Sequence, residues 1–187
     1  YRRGLDGWAR RQRQVGLRDS REFTAGNRCE RPLGKQKIAE ELPNMFKFKL
    51  DKSEALKGVE GGKGKIGLPL GLNMFENITF WHSFFTDLGF EVVLSDVSTR
   101  EIYRKGQDTI PSDTVCYPAK LMHGHIMSLI EKGVDKIFYP CIPYNFNENT
   151  GDNHYNCPVV AYYPELLDAN MDILQSVVYH RDYIGLH

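Results

Sequence analysis

Lys65-Ile66-Gly67-Leu68-Pro69-Leu70-Gly71 is the stretch on which the fold turns. A short apolar run closed by glycine predicts a strand over residues 65–70 and then a turn. Pro69 has no N–H to offer a ladder, so it belongs at the strand's end or on an edge. Downstream, Asn73 is placed to cap a helix. Met74, Phe75, Ile78, Trp81, Phe84, Phe85 and Leu88 then recur at helical spacing as far as Gly89. Residues 90–94 (FEVVL) are apolar and β-branched, which predicts a second strand. Ser98 is expected to cap a short helix running to about Lys105, with Gly106 as its stop. Leu121, Met122, Ile126, Leu129 and Ile130 mark one apolar side of a helix over 119–132. Residues 135–139 (DKIFY) and 158–162 (PVVAY) read as two more strands, with Pro164 opening a last helix to about 174. Strands alternating with helices predict the α/β class, a parallel sheet covered by helices.

Upstream the pattern weakens. Residues 26–34 (GNRCERPLG) read as a loop. Residues 44–50 (NMFKFKL) alternate apolar and polar, which predicts a short strand or extended arm. Gly61-Gly62-Lys63-Gly64 is a flexible joint. The expected organisation is therefore an irregular N-terminal arm and linker over 1–63 and an α/β domain over 64–187. Residues 1–18 hold six arginines and one acid, Asp6. A solvated terminal segment accounts for them more simply than an anion-binding arm. The chain reads as a piece of a longer protein.

Composition excludes some classes. Hydrophobic content of 41% and charged content of 26% are those of a globular chain, not a disordered one. A net charge of zero gives no general pull toward nucleic acid or an anionic membrane. No apolar run is long enough to span a bilayer. Four cysteines in 187 residues are too few for a disulfide scaffold, which favours a reducing, cytoplasmic setting. In that setting clustered cysteines point to metal or redox chemistry.

Three of the four cysteines fall where an α/β sheet gathers functional groups, beyond the carboxyl ends of its strands. Cys141 ends the 135–139 strand. Cys116 lies in the turn before the 119–132 helix. Cys157 opens the 158–162 strand and reaches the same edge if the loop 142–156 folds back. Each stands beside a proline (Pro118, Pro143, Pro158), which stiffens its turn. None has Cys-x-x-Cys spacing, which argues against a zinc ribbon or a thioredoxin-type pair. Iron–sulfur clusters tolerate widely spaced thiolates, and Cys29 could supply a fourth ligand. The competing expectation is buried structural cysteine in a metal-free domain. A zinc site on cysteine and His154 is a third. Ser112, Lys120, His123 and His154 are further pocket candidates. Lys120, in the first turn of its helix, could meet an anion, and His154 lies in an asparagine-rich loop. His123 and His125 cannot share a helix face.

Taken together, residues 66–76, 80–85, 89–95, 111–120, His123-Gly124-His125, Tyr139-Pro140-Cys141 and 152–160 resemble a family domain. It is the domain of large proteins known as activators of 2-hydroxyglutaryl-CoA dehydratase, or CoA-substrate-specific enzyme activases. The resemblance covers about residues 22–172, with the remaining tail unmatched. It implies a Rossmann-like fold and a [4Fe-4S] cluster on three cysteines, hence a role in electron transfer in anaerobic metabolism. It also implies partners: an ATPase module of the actin/sugar-kinase type and dehydratase-like components. ATP would act only through that module, since no nucleotide loop resembling it occurs here. Independent enzymatic activity is not expected. The alternative is a metal-free interaction or CoA-ester-binding domain.

Overall fold

The computed structural model describes residues 43–56 and 62–185. Residues 1–42, with Cys29 and the arginine-rich opening, lie outside the described residues, as do 57–61 in the expected linker. Met45–His187 forms a compact unit of its own.

Four parallel strands make one sheet: β1 (Lys65–Leu68), β2 (Glu91–Leu94), β3 (Lys136–Phe138) and β4 (Val178–His180), in the order β2-β1-β3-β4. Among the described residues six helices flank it: α1 (Met45–Glu54), α2 (Leu72–Glu76), α3 (Ile78–Asp87), α4 (Arg100–Gly106), α5 (Tyr117–Glu131) and α6 (Pro158–Asn170). Short 3-10 turns follow α4 at Gln107–Thr109 and α6 at Asp172–Ser176. This is a Rossmann-like α/β fold. The strand order reverses between β1 and β3, so the crevice at their carboxyl ends is the topological switch point.

Strand alternation assigns the two faces. Phe138 points to the side of α3, where its ring meets Trp81 at 4.8 Å and Phe85 at 4.8 Å. Gly67, paired with Ile137, points to the other side. There α5 lies so close that a Cβ on Gly67 would sit 3.0 Å from Leu129. Tyr139 and Tyr179 share that second face, under α5 and α6. The core runs through both layers: Ile66, Leu68, Met74, Ile78, Met122, Ile126, Leu129, Ile137 and Leu167 are all buried.

Several sequence expectations give way. Residues 45–54 form a helix, and the two-residue alternation there does not make a strand. Phe46 packs on Phe75 at 5.5 Å, while both it and the other alternating aromatic, Phe48, stay largely exposed. Residues 158–162 open helix α6, with Pro158 in its first turn, where a missing N–H costs nothing. Pro164 consequently lies inside α6, not at its start. The fourth strand is β4, in the tail that had matched nothing. It pairs in register with all three residues of β3.

Cap assignments move as well. Gly71, not Asn73, precedes α2, and the Asn73 amide is buried with no partner among the described residues. The expected single helix breaks at Asn77 into α2 and α3. Thr99, not Ser98, caps α4, accepting the Ile102 N–H at 3.3 Å. Gly89, at φ +88°, closes α3 as expected, because the left-handed region is open to glycine.

Candidate functional site

Helices that return from the carboxyl edge of a parallel sheet place their N-termini at that edge. Cys116 is the N-cap of α5 and Cys157 the N-cap of α6, each in extended geometry with a proline in the first turn behind it. Both thiols are exposed. Cys157 reaches the edge by capping a helix, where the sequence placed it at the start of a strand. The loop before it folds back through Asn145 N–H to His154 O at 2.9 Å and Asn156 N–H to Pro143 O at 2.9 Å. Cys141 extends β3: its N–H donates to Asp182 O, and its carbonyl accepts from Ile184 N–H.

The three sulfurs differ in environment. Cys141 is fully buried, and burial pushes its thiol pKa up, with the Glu165 backbone N–H acting in the opposite direction. Glu165 is eight residues along α6 from Cys157, about 12 Å of helix rise. The Cys141 thiol is thus tucked below the level of the two helix N-termini. Among the described residues no three His, Cys, Asp or Glu side chains gather around a single ion position.

Between these helices lies a buried polar chain that the sequence did not reveal. The Thr109 hydroxyl donates to Gly106 O at 2.9 Å, so it accepts from His123 Nδ1–H at 2.8 Å. His123 Nε2 is then free to accept the Tyr163 hydroxyl at 3.0 Å. Burial lowers the His123 pKa to about 4 and lifts Tyr163 to about 12. Tyr179 donates to Pro164 O at 3.1 Å. Beside them the Tyr139 hydroxyl is wholly buried with no partner among the described residues. Burial first, then Tyr179, Tyr163, Cys141 and Cys157, holds its pKa well above the usual phenol range.

The other candidates are scattered. Ser112 is exposed and shares a hydrogen bond with Thr114 at 2.9 Å. Lys120 donates to Asp113 O at 2.8 Å, so it braces the turn before Cys116. His154 is exposed in the asparagine-rich loop, where it helps line a polar hollow of about 280 Å³. His125 is buried on the β2 side of α5, between Ser95 and Ser98.

The residues of this edge are those that carried the resemblance, and the family comparison agrees. The family described as the CoA enzyme activase uncharacterised domain matches residues 65–186, more than half of the chain. The chain belongs to that family. The match includes β4, so the family domain extends beyond residue 172. No curated protein and no solved structure matches the chain. No described helix is long and apolar enough to cross a membrane.

Proposed function

We propose that this activase-family domain is an iron–sulfur electron-transfer module, with Cys116, Cys141 and Cys157 holding a [4Fe-4S] cluster. The observation that supports this most is the common location: three cysteines at one sheet edge, two of them N-capping adjacent helices. The donor set fits a cluster in type, and the Cys141 thiol, at Glu165 some way down α6, would have to move toward the two helix N-termini to join it. In a cubane each thiolate binds a separate iron, so the thiols need to ring a space and need not share a point. A bound cluster would supply one-electron transfer at low potential. The chain's own part is to present the Cys116 and Cys157 thiolates at helix N-termini, where the dipole favours negative charge, and to exclude water on the Tyr139–Tyr163 side. Cys29 is a candidate fourth ligand. The proposed partners are an ATPase module of the activase and a dehydratase-like acceptor, with ATP acting only through that module.

Cys141 favours a second reading, because a buried thiol of raised pKa behaves as a small apolar core residue. In that reading the domain is metal-free and binds a CoA ester or a partner surface. Anaerobic reconstitution of the full chain, followed by iron and acid-labile sulfide analysis and EPR of the reduced sample, separates the two. About four irons per chain, lost in Cys116→Ser and Cys157→Ser, supports the cluster. No iron above that of the double variant establishes the metal-free domain.

A further inference from the structure

A second constellation stands at the carboxyl ends of β1 and β2, apart from the cysteines. The Ser98 hydroxyl lies 2.9 Å from His125 Nε2, and Ser95 Oγ lies 2.9 Å from His125 Nδ1. The surrounding bonds accommodate the tautomer that this requires. Ser95 Oγ accepts the Leu70 N–H at 2.8 Å and turns its own proton toward Asp96 O at 3.4 Å. With its proton on that carbonyl it accepts from the ring, which is the tautomer with the proton on Nδ1 and Nε2 bare. Ser98 donates to Nε2. A buried imidazole, oriented from behind and facing an exposed serine, is the arrangement that activates a hydroxyl nucleophile.

Ser98 also borders a hollow. It lines an apolar pocket of about 130 Å³, together with Leu70, Leu72, Phe75, Phe46 and Leu50. The same pocket holds a backbone outlier: Leu72 sits at φ 48°, in the left-handed region that a γ-branched residue rarely adopts. Such strain collects at functional positions. A Cβ on Gly71 beside it would overlap Met122 Sδ, so that thioether would have to shift.

We infer that Ser98 is an acyl acceptor, taking the acyl group of a short-chain thioester or ester seated in this pocket. As the Oγ–carbonyl carbon bond forms, the Ser98 proton passes to His125 Nε2. The carbon–sulfur (or carbon–oxygen) bond then breaks, and the leaving thiol or alcohol takes that proton. The products are acyl-Ser98 and the free thiol or alcohol, with no redox change. Burial holds the His125 pKa at about 4, so the ring stays neutral and ready to accept near neutral pH. So weak a base gives modest assistance, which makes Ser98 a slow acceptor and not a fast hydrolase. The inference is independent of the cluster proposal.

The test treats the full chain with p-nitrophenyl butyrate and maps butyryl adducts by peptide mass spectrometry. Ser112, exposed and without an imidazole, is the internal reference, so reaction of the cysteines does not obscure the result. Ser98 should be acylated at least about tenfold faster than Ser112. Its rate should be flat between about pH 6 and 8, where unassisted Ser112 gains roughly tenfold per unit with hydroxide. Ser98→Ala should remove the fast serine adduct and leave that on Ser112. Equal rates at the two serines, or a Ser98 rate that climbs with pH as Ser112 does, would overturn the inference.

Discussion

The Tyr139 hydroxyl has given up water and gained no partner among the described residues. Leaving such a group unpaired costs about 1–3 kcal/mol, so its removal should help. Tyr139→Phe in the cluster-free protein should raise stability by about 1 kcal/mol, read as a higher urea midpoint at unchanged slope. A loss of stability would mean that ordered water already serves the hydroxyl. At this scale the sequence was a partial guide. It named His123 and His125 and recognised that they face different ways. It missed their partners Thr109, Tyr163, Ser95 and Ser98, because none of those pairings follows from spacing along the chain. It also chose Ser98 as a cap when the neighbouring Thr99 takes that role.

Among the elements, the crossing of α4 on α5 is the tightest. A Cβ on Gly124 would overlap the Ile102 carbonyl, and one on Gly106 would overlap the backbone of His123 and Gly124. Neither obstacle is a flexible side-chain tip, so the helices would have to move apart. Gly124→Ala should destabilise the fold by about 3 kcal/mol or more in chemical denaturation. Thr99→Ala, which removes only the α4 cap, should cost about 1 kcal/mol in the same assay. The glycine in His123-Gly124-His125 is therefore a packing residue between two buried histidines. The mistaken elements have one common cause. Residues 44–50 and 158–162 are too short for periodicity to separate a strand from one side of a helix. Tertiary packing decided both, with Phe46 drawn onto Phe75 and β4 filling the sheet position that residues 158–162 were expected to hold.

For the whole molecule, burial of uncharged histidine links stability to pH. His123 and His125 both have pKa values lowered to about 4, with burial the largest cause, against 6.5 when unfolded. Between those values the unfolded chain binds more protons than the folded one. Stability is therefore complete above about pH 6.5 and falls as pH drops toward 4, by up to about 1.4 kcal/mol per unit for each histidine. Denaturation at a series of pH values should show this slope, and His123→Asn should reduce it by roughly half. Asp96 contributes in the same sense: Lys132 above all, then Ser128 and Lys105, hold its pKa below the usual carboxylate range. Its contribution is lost only at still lower pH.

The α/β class, three of the four strands, the helix over 119–132 and the family domain were legible in the amino-acid sequence. Each rests on a local signal: an apolar run, a glycine stop, or a motif in order. The sequence also brought Cys116 and Cys141 to one sheet edge, since strand ends and helix starts of a parallel sheet meet there, and brought Cys157 there only if its loop folded back. Tertiary structure alone decided that Cys157 caps a helix and that residues 178–180 complete the sheet. It alone buried the Cys141 thiol against α6 and joined Ser98 to His125 across 27 residues. Those outcomes depend on which surfaces meet once the helices pack, and no window of sequence contains both sides of such a contact.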